Sequence, residues 1–256
     1  MFLAELSLWA HIAIGVIFIW SGFVRSGLGF GGAVLSLPFL LLIDDRPLVY
    51  LPIIAVHLLV FSSLTIWQSR NNQSETDQRV DWRYLGYALL IMIIPKLVGV
   101  FGLLALPNDL MTAIIFAIVV CYSISYILDK PFISKHPFMD KVLLMTGGYV
   151  SGTSLIGAPL IVAVFASHVA RARLRNTLFA LWFILVTIKM AAFVWAGVDL
   201  QWLQHIWLLP CAALGHYLGL IAHQKLLQAN SRTFYKVLGW VLLLVSSLGL
   251  GSYLFN

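Results

Sequence analysis

The sequence predicts an all-α polytopic membrane protein, and three observations carry that prediction. Of the 256 residues, 61% are hydrophobic and only 10% are charged, whereas about 25% of a typical soluble domain is charged. Several apolar segments reach the roughly 20 residues that a helix needs to cross the hydrocarbon core of a bilayer. Twelve of the sixteen Lys and Arg residues fall in four clusters between such segments. The clusters are Arg70, Arg79 and Arg83; Lys130, Lys135 and Lys141; Arg171, Arg173 and Arg175; and Lys225, Arg232 and Lys236.

Six segments are long enough to span the membrane as single helices. They cover about residues 47–67, 82–104, 109–128, 175–197, 201–225 and 234–254. Because loops rich in Lys and Arg stay on the cytoplasmic side, we expect all four basic clusters to be cytoplasmic. That assignment puts both termini on the external face of the plasma (inner) membrane.

Two apolar regions are interrupted and do not fit a simple count of spans. Residues 8–43 are interrupted at Arg25-Ser26-Gly27, and residues 142–167 are interrupted at 151–154. The second region lies between two cytoplasmic clusters, so it must enter the membrane and return on the same side. Each of its arms then has about 13 residues, or about 20 Å of helix. We predict a re-entrant or short-helix hairpin whose break is buried in protein.

A weak internal repeat relates the two interrupted regions. When the chain is shifted by 125 positions, residues 22–55 align with 147–180 at eight identities, among them the Ser-Gly pair 26–27 with 151–152. Every matched loop changes side under the charge rule, which predicts two inverted-topology repeats, each a broken hairpin followed by three spans. The predicted first repeat is residues 1–128, the cytoplasmic linker is 129–140 and the second repeat is 141–256, all within one transmembrane domain. Inverted repeats with broken helices place the substrate site near the midplane at the repeat interface.

At these residues the chain resembles the sulfite exporter TauE/SafE family of membrane transporters. The resemblance rests on the glycine-rich stretches 26–33, with Pro38 downstream, and 151–159, where Leu155 and Ala158 replace the usual glycines. It covers nearly the whole chain, including the small-residue segments 95–102 and 210–219. The resemblance implies a transporter fold and a sulfur-containing anion, such as sulfite or a sulfonate, as substrate.

The glycine-rich stretches supply most of the predicted substrate contacts. Glycine allows the backbone to break a helix and approach an anion, which favours helix N-termini; the alternative is close packing of helices. Both alternatives remain open from the sequence for both stretches, whereas packing is favoured for Gly215 and Gly219. The predicted contacts from these stretches are Ser26, Gly27, Gly31, Gly32, Ser151, Gly152, Gly157 and Pro159.

Two lysines fall in the middle of predicted spans. A charge at the bilayer centre costs about 2.5–3.5 kcal/mol on insertion scales, so function is the default interpretation of Lys96 and Lys189. The alternative is a structural donor to backbone carbonyl groups. All ten acidic residues lie in loops or at segment ends, and two buried cations without carboxylates favour an anionic substrate.

His57 and His216 also lie near segment centres and are candidate proton relays, the alternative being a hydrogen bond to a neighbouring carbonyl group. Arg25, beside the first break, is either a screen for entering substrate or an interfacial anchor. No cofactor and no metal site are predicted, and the basic residues at segment ends indicate topology rather than nucleic-acid binding.

These observations predict a secondary transporter, and in particular an exporter, that moves a small anion by alternating access. Its expected partners are the anionic substrate and the lipid bilayer, and a homo-oligomer is left open. A small-anion channel shares the same composition. A membrane-embedded enzyme is disfavoured because no span contains paired acidic residues or a His-x-x-x-His pattern.

Overall fold

The computed structural model describes residues 6–28, 31–71, 79–129, 132, 136–228 and 231–254. Within these residues the chain forms ten α-helices and no β-strand. The helices are α1 (Leu8–Leu28), α2 (Gly32–Ile43), α3 (Pro47–Asn71), α4 (Trp82–Ala105), α5 (Asn108–Ile127), α6 (Pro137–Ser154), α7 (Ala158–His168), α8 (Arg171–Trp195), α9 (Trp202–Gln228) and α10 (Ser231–Leu254).

The prediction of an all-α polytopic membrane protein is confirmed. Six helices are long and apolar enough to cross a membrane: α1, α3, α4, α5, α8 and α9. Five of them coincide with predicted spans, and the sixth predicted span lies within the 24 residues of α10. The first interrupted region contains one full-length helix, because α1 continues for 21 residues before the chain breaks.

Both helix breaks lie a few residues later than the sequence suggested. Arg25-Ser26-Gly27 belongs to the end of α1, and residues 151–154 form the last turn of α6. The prediction was wrong because hydroxyl groups can continue a helix: the Ser154 hydroxyl donates to the Val150 carbonyl group at 2.9 Å, the usual back-bond to residue i−4. The arms are also unequal, with 18 residues in α6 and 11 in α7.

One residue with a left-handed backbone conformation precedes α2, after the first break, and another follows α6, at the second break. Gly31 precedes α2 with φ 88°, a conformation that glycine adopts without steric cost. Leu155 follows α6 with φ 61°, and a leucine in this region is strained. Glycine would adopt this conformation without that strain.

In each half of the chain, one helix of about 20 residues is followed by a short helix and then by three long helices. Shifted by 125 positions, the bounds of α2 and α3 fall within one residue of those of α7 and α8. This agreement supports a structural repeat; its inverted orientation stays a prediction. The termini (residues 1–5 and 255–256) and part of the predicted linker, including Lys130 and Lys135, lie outside the described residues.

The helices pack into two compact units, and each unit contains helices from both predicted repeats. The first unit comprises residues 1–53, 108–129 and 201–256. In it, α1 packs along α9 and α5 packs along α10, while α2 contacts α1. Close approach of α1 and α9 depends on Gly215 and Gly219, where an added Cβ would collide with the backbone carbonyl oxygens of Ile19 and Phe23. The packing interpretation of these two glycines is confirmed.

The second unit comprises Ile54–Pro107 and Lys130–Leu200. Its principal pair is α4 with α6, and α7 packs against α6 and α8. Helices α4 and α6 touch at Gly99 and Gly152, where a Cβ on Gly152 would lie 3.0 Å from the Gly99 Cα. Thus the first helix of each predicted repeat packs against the fourth helix of the other.

Candidate functional site

Lys96 is fully buried in the second unit and is directed at the end of a broken helix. It lies on α4 one residue after Pro95, with an exposed fraction of 0%. Its Nζ donates to the Ser151 carbonyl oxygen at 2.9 Å and to the Ser151 hydroxyl at 3.0 Å. Gly99 and Gly152 allow α4 to pack closely against α6. The Lys96 side chain therefore reaches the last turn of α6 within the protein interior.

Lys189 reaches the same last turn from α8. It too is fully buried, and its Nζ donates to the carbonyl oxygens of Gly152 at 2.8 Å and of Thr153 at 3.0 Å. The ammonium group also lies 5.3 Å from the centre of the Phe193 ring, a favourable cation–π distance. Three consecutive carbonyl groups at the end of α6 therefore receive hydrogen bonds from two lysines.

The two lysines donate to the carbonyl end of α6 without any carboxylate beside them among the described residues. The last four carbonyl groups of a helix have no partner within it and carry about −0.5 elementary charge. Two ammonium groups exceed that charge, and among the described residues neither forms an ion pair with a carboxylate. Of the three N–H donors on each ammonium group, two are used by α6, which leaves one on each for a further acceptor.

The N-terminus of α7 follows directly after this turn. Gly157 occupies the N-cap position and Pro159 the second position of the helix. Because proline has no N–H, the amides of Ala158 and Leu160 are the donors that the first turn presents. Gly157 permits a tight return, since a Cβ there would collide with the Gly147 carbonyl oxygen.

The first unit contains a related but chemically different contact. The Ser26 hydroxyl, near the end of α1, hydrogen-bonds to Nδ1 of His216 on α9. Ser26 and Ser151 are aligned by the 125-residue shift, so each serine meets a polar side chain from the fourth helix of the other repeat. The partner is a lysine in one unit and a histidine in the other.

The predicted site residues thus divide between the two units. The first unit holds Ser26, Gly27, Gly31, Gly32 and His216. The second holds His57, Lys96, Ser151, Gly152, Gly157, Pro159 and Lys189. Within the second unit, Lys96 and Lys189 meet the α6 turn that contains Ser151 and Gly152. Gly32 lies against the end of α1, because a Cβ there would be 2.9 Å from the Ser21 carbonyl oxygen. His57 is 1% exposed within α3, and its role as a proton relay stays a prediction.

Arg25 lies inside the protein rather than at its surface. Its exposed fraction is only 4%, so its interpretation as an interfacial anchor is wrong.

No pattern in the sequence indicated a contact between Asp140 and His168. Asp140 is buried in the first turn of α6 and lies 2.9 Å from His168, at the end of α7. Sequence analysis missed this pair because the two residues are 28 positions apart and both lie at segment ends.

The geometry therefore combines a broken helix, buried lysines and a multi-pass membrane fold. Comparison with protein families gives a match to the sulfite exporter TauE/SafE family over residues 13–248, from α1 into α10. The chain belongs to the sulfite exporter TauE/SafE family. No curated protein and no solved structure matched the chain.

Membership in the TauE/SafE family makes this protein one of a family of membrane transporters that export sulfite and related sulfur-containing anions. The six long apolar helices fit that assignment. The predicted resemblance is confirmed over nearly the whole chain.

Proposed function

We propose that this TauE/SafE protein is a secondary transporter that exports a small sulfur-containing anion, such as sulfite or an organosulfonate, by alternating access. It acts in the plasma (inner) membrane, and it performs no chemical conversion of its substrate. The substrate binds at the break between α6 and α7, where Lys96 and Lys189 each offer their remaining N–H donor.

The observation that carries the proposal is that two fully buried lysines have no carboxylate partner among the described residues. Hydrogen bonds to the α6 carbonyl groups fix the position of both ammonium groups, but they neutralise only part of the charge. A buried cation without a counter-ion is unfavourable. A small oxyanion supplies both the missing charge and the missing acceptors, and the open amides of the α7 N-terminus suit the same ligand.

The membrane potential supports export. A cell interior negative by 100 mV favours the exit of an anion by about 2.3 kcal/mol per charge. Export down this gradient needs no coupling ion. Ser26, Gly27, Gly31 and Gly32 of the first unit are proposed as further substrate contacts, and His57 and His216 as proton relays if the protein works in the uptake direction.

Sulfite flux in proteoliposomes tests the proposal. Lys96→Gln and Lys189→Gln keep an amide that donates to the α6 carbonyl groups but remove the charge, so each should lower flux at least about tenfold while the protein still folds. Lys141→Gln is the matched control, since Lys141 is exposed on α6 and its loss should leave flux unchanged.

Thermal unfolding of the same variants separates lost folding from lost binding. Wild-type flux in both folded glutamine variants would refute the proposed role of the lysines.

Wild-type flux also distinguishes a carrier from a channel. A carrier is identified if the flux saturates with sulfite and is stimulated by sulfite on the opposite side.

A further inference from the structure

A carboxylate–imidazole pair joins the two ends of the α6–α7 hairpin, at the opposite end from its break. Asp140 is 7% exposed in the first turn of α6, and His168 is the last residue of α7. His168 Nε2 lies 2.9 Å from Asp140 Oδ2. This hydrogen bond therefore closes the open end of the hairpin. The other end of α6 is the turn to which Lys96 and Lys189 donate.

Neighbouring helices hold this pair in place but leave it open to protons. The Tyr84 ring on α4 stacks on His168 with ring centres 5.2 Å apart and meets Phe165 edge-on at 5.1 Å. Asp81 caps α4 and its backbone N–H donates to the Thr177 hydroxyl on α8 at 3.0 Å. The His168 side chain is 42% exposed, so solvent can reach the imidazole.

Two buried polar atoms, one in the pair and one on the neighbouring Tyr84, have no hydrogen bond among the described residues. They are Asp140 Oδ1 and the Tyr84 hydroxyl. Such atoms are rare in folded proteins. An acceptor and a donor that both adjoin His168 are suited to a second arrangement of this end, in which His168 has moved away.

The other charged and titratable groups at this end are mostly basic. They are Asp81, Arg83 and Tyr87 on α4, His136 and Lys141 at the start of α6, and Arg171, Arg173 and Arg175 on α8. Among them, His136 is the only other imidazole. It caps α6 by accepting the Phe138 N–H, so its contribution can be tested separately.

We propose that Asp140 and His168 form a proton-operated latch on the α6–α7 hairpin. With a proton on the imidazole, the ion pair holds the end of α7 to the start of α6. Loss of that proton leaves a weaker neutral contact and releases the end of α7. The effect of the latch on transport rests on the proposed function. When the end of α7 is released, the hairpin can move the α6 turn that Lys96 and Lys189 contact.

Thermal unfolding at two pH values tests the latch without any substrate. The latch predicts that the ion pair stabilises the fold at pH 5.5 and contributes little at pH 8.5. His168→Gln should lower the Tm by roughly 3 °C at pH 5.5 and by less than about 1 °C at pH 8.5. Asp140→Asn should show the same dependence, and the double variant should add nothing to either.

His136→Asn is the matched control, since asparagine keeps an N-cap acceptor and removes the neighbouring titratable group. Any pH dependence of its Tm difference from the wild type should have the opposite sign to that of His168→Gln, because the His136 Nδ1 accepts the Phe138 N–H only when it is unprotonated. An equal Tm deficit of His168→Gln at both pH values would overturn the latch.

Sulfite flux then tests the consequence for transport. Wild-type flux should be about threefold to fivefold higher at pH 8 than at pH 6 on the side of His168, and His168→Gln should be fast at both. If the wild type moves no sulfite but the Tm pattern holds, the proposed function fails and the latch stands. If sulfite moves but the Tm deficits do not depend on pH, the latch is refuted and the transporter stands.

Discussion

At the scale of single residues, Ser151 links the buried charge to the backbone. Its carbonyl and hydroxyl oxygens both accept from Lys96, while the next two carbonyl groups accept from Lys189. Both interpretations of the lysines that the sequence left open therefore have a physical basis. The lysines are structural donors to backbone carbonyl groups, and their remaining charge and N–H donors favour an anion.

Replacement of Ser151 by alanine tests the value of this contact. Ser151→Ala removes one acceptor of a charged donor and should lower the free energy of unfolding by about 1.5–3 kcal/mol. Ser167→Ala is the matched control on the other arm of the hairpin, because Ser167 is exposed and bonds only to the Ala163 carbonyl group of its own helix. That change should stay within about 0.5 kcal/mol. Equal losses in thermal or denaturant unfolding would show that the Lys96 contact contributes nothing.

The sequence predicted which residues are buried but not how their donors are used. Apolar neighbours on both sides placed Lys96 and Lys189 at mid-span, since a lysine so far from a segment end cannot reach the interface. Which carbonyl groups they meet depends on the approach of α4 and α8 to α6. No local pattern around residues 96 or 189 contains that information.

At the scale of helices, the apolar segments predicted the spans well and the breaks less well. Segment length fixes a span, because the hydrocarbon thickness is constant. The end of a helix depends on individual backbone torsions, and at α6 it falls on Leu155, whose φ is 61°. A leucine side chain does not indicate a left-handed conformation, whereas the serines before it predicted an interruption of the helix.

The packing of α4 on α6 gives a prediction with an internal control. A Cβ on Gly99 would collide with the Tyr149 carbonyl oxygen, whereas nothing lies within 4 Å of a Cβ on Gly102 of the same helix. Gly99→Ala should therefore separate the helices and lower the Tm by roughly 5 °C. Gly102→Ala should leave the Tm unchanged or raise it slightly, since alanine favours a helix. Similar effects of both changes on the Tm would mean that α4 and α6 do not pack at Gly99.

At the scale of the whole molecule, hydropathy and charge predicted the class of protein, and the 125-residue shift anticipated the helix order. The packing partners could not be predicted, because contacts such as α1 with α9 join segments that are far apart in the sequence and all equally apolar. The inverted orientation of the repeats and the external termini stay predictions. Family membership supports the proposed class of substrate, and the buried lysines give that proposal a physical reason.

Equilibrium binding of sulfite, measured by titration calorimetry on purified protein, tests the central claim most directly, because it does not depend on a completed transport cycle. The wild type and Lys141→Gln should bind sulfite with the same Kd. Lys189→Gln should raise the Kd at least about tenfold, since one of two buried charges is lost. An unchanged Kd in a folded Lys189→Gln protein would contradict the claim that the buried lysines hold the anion.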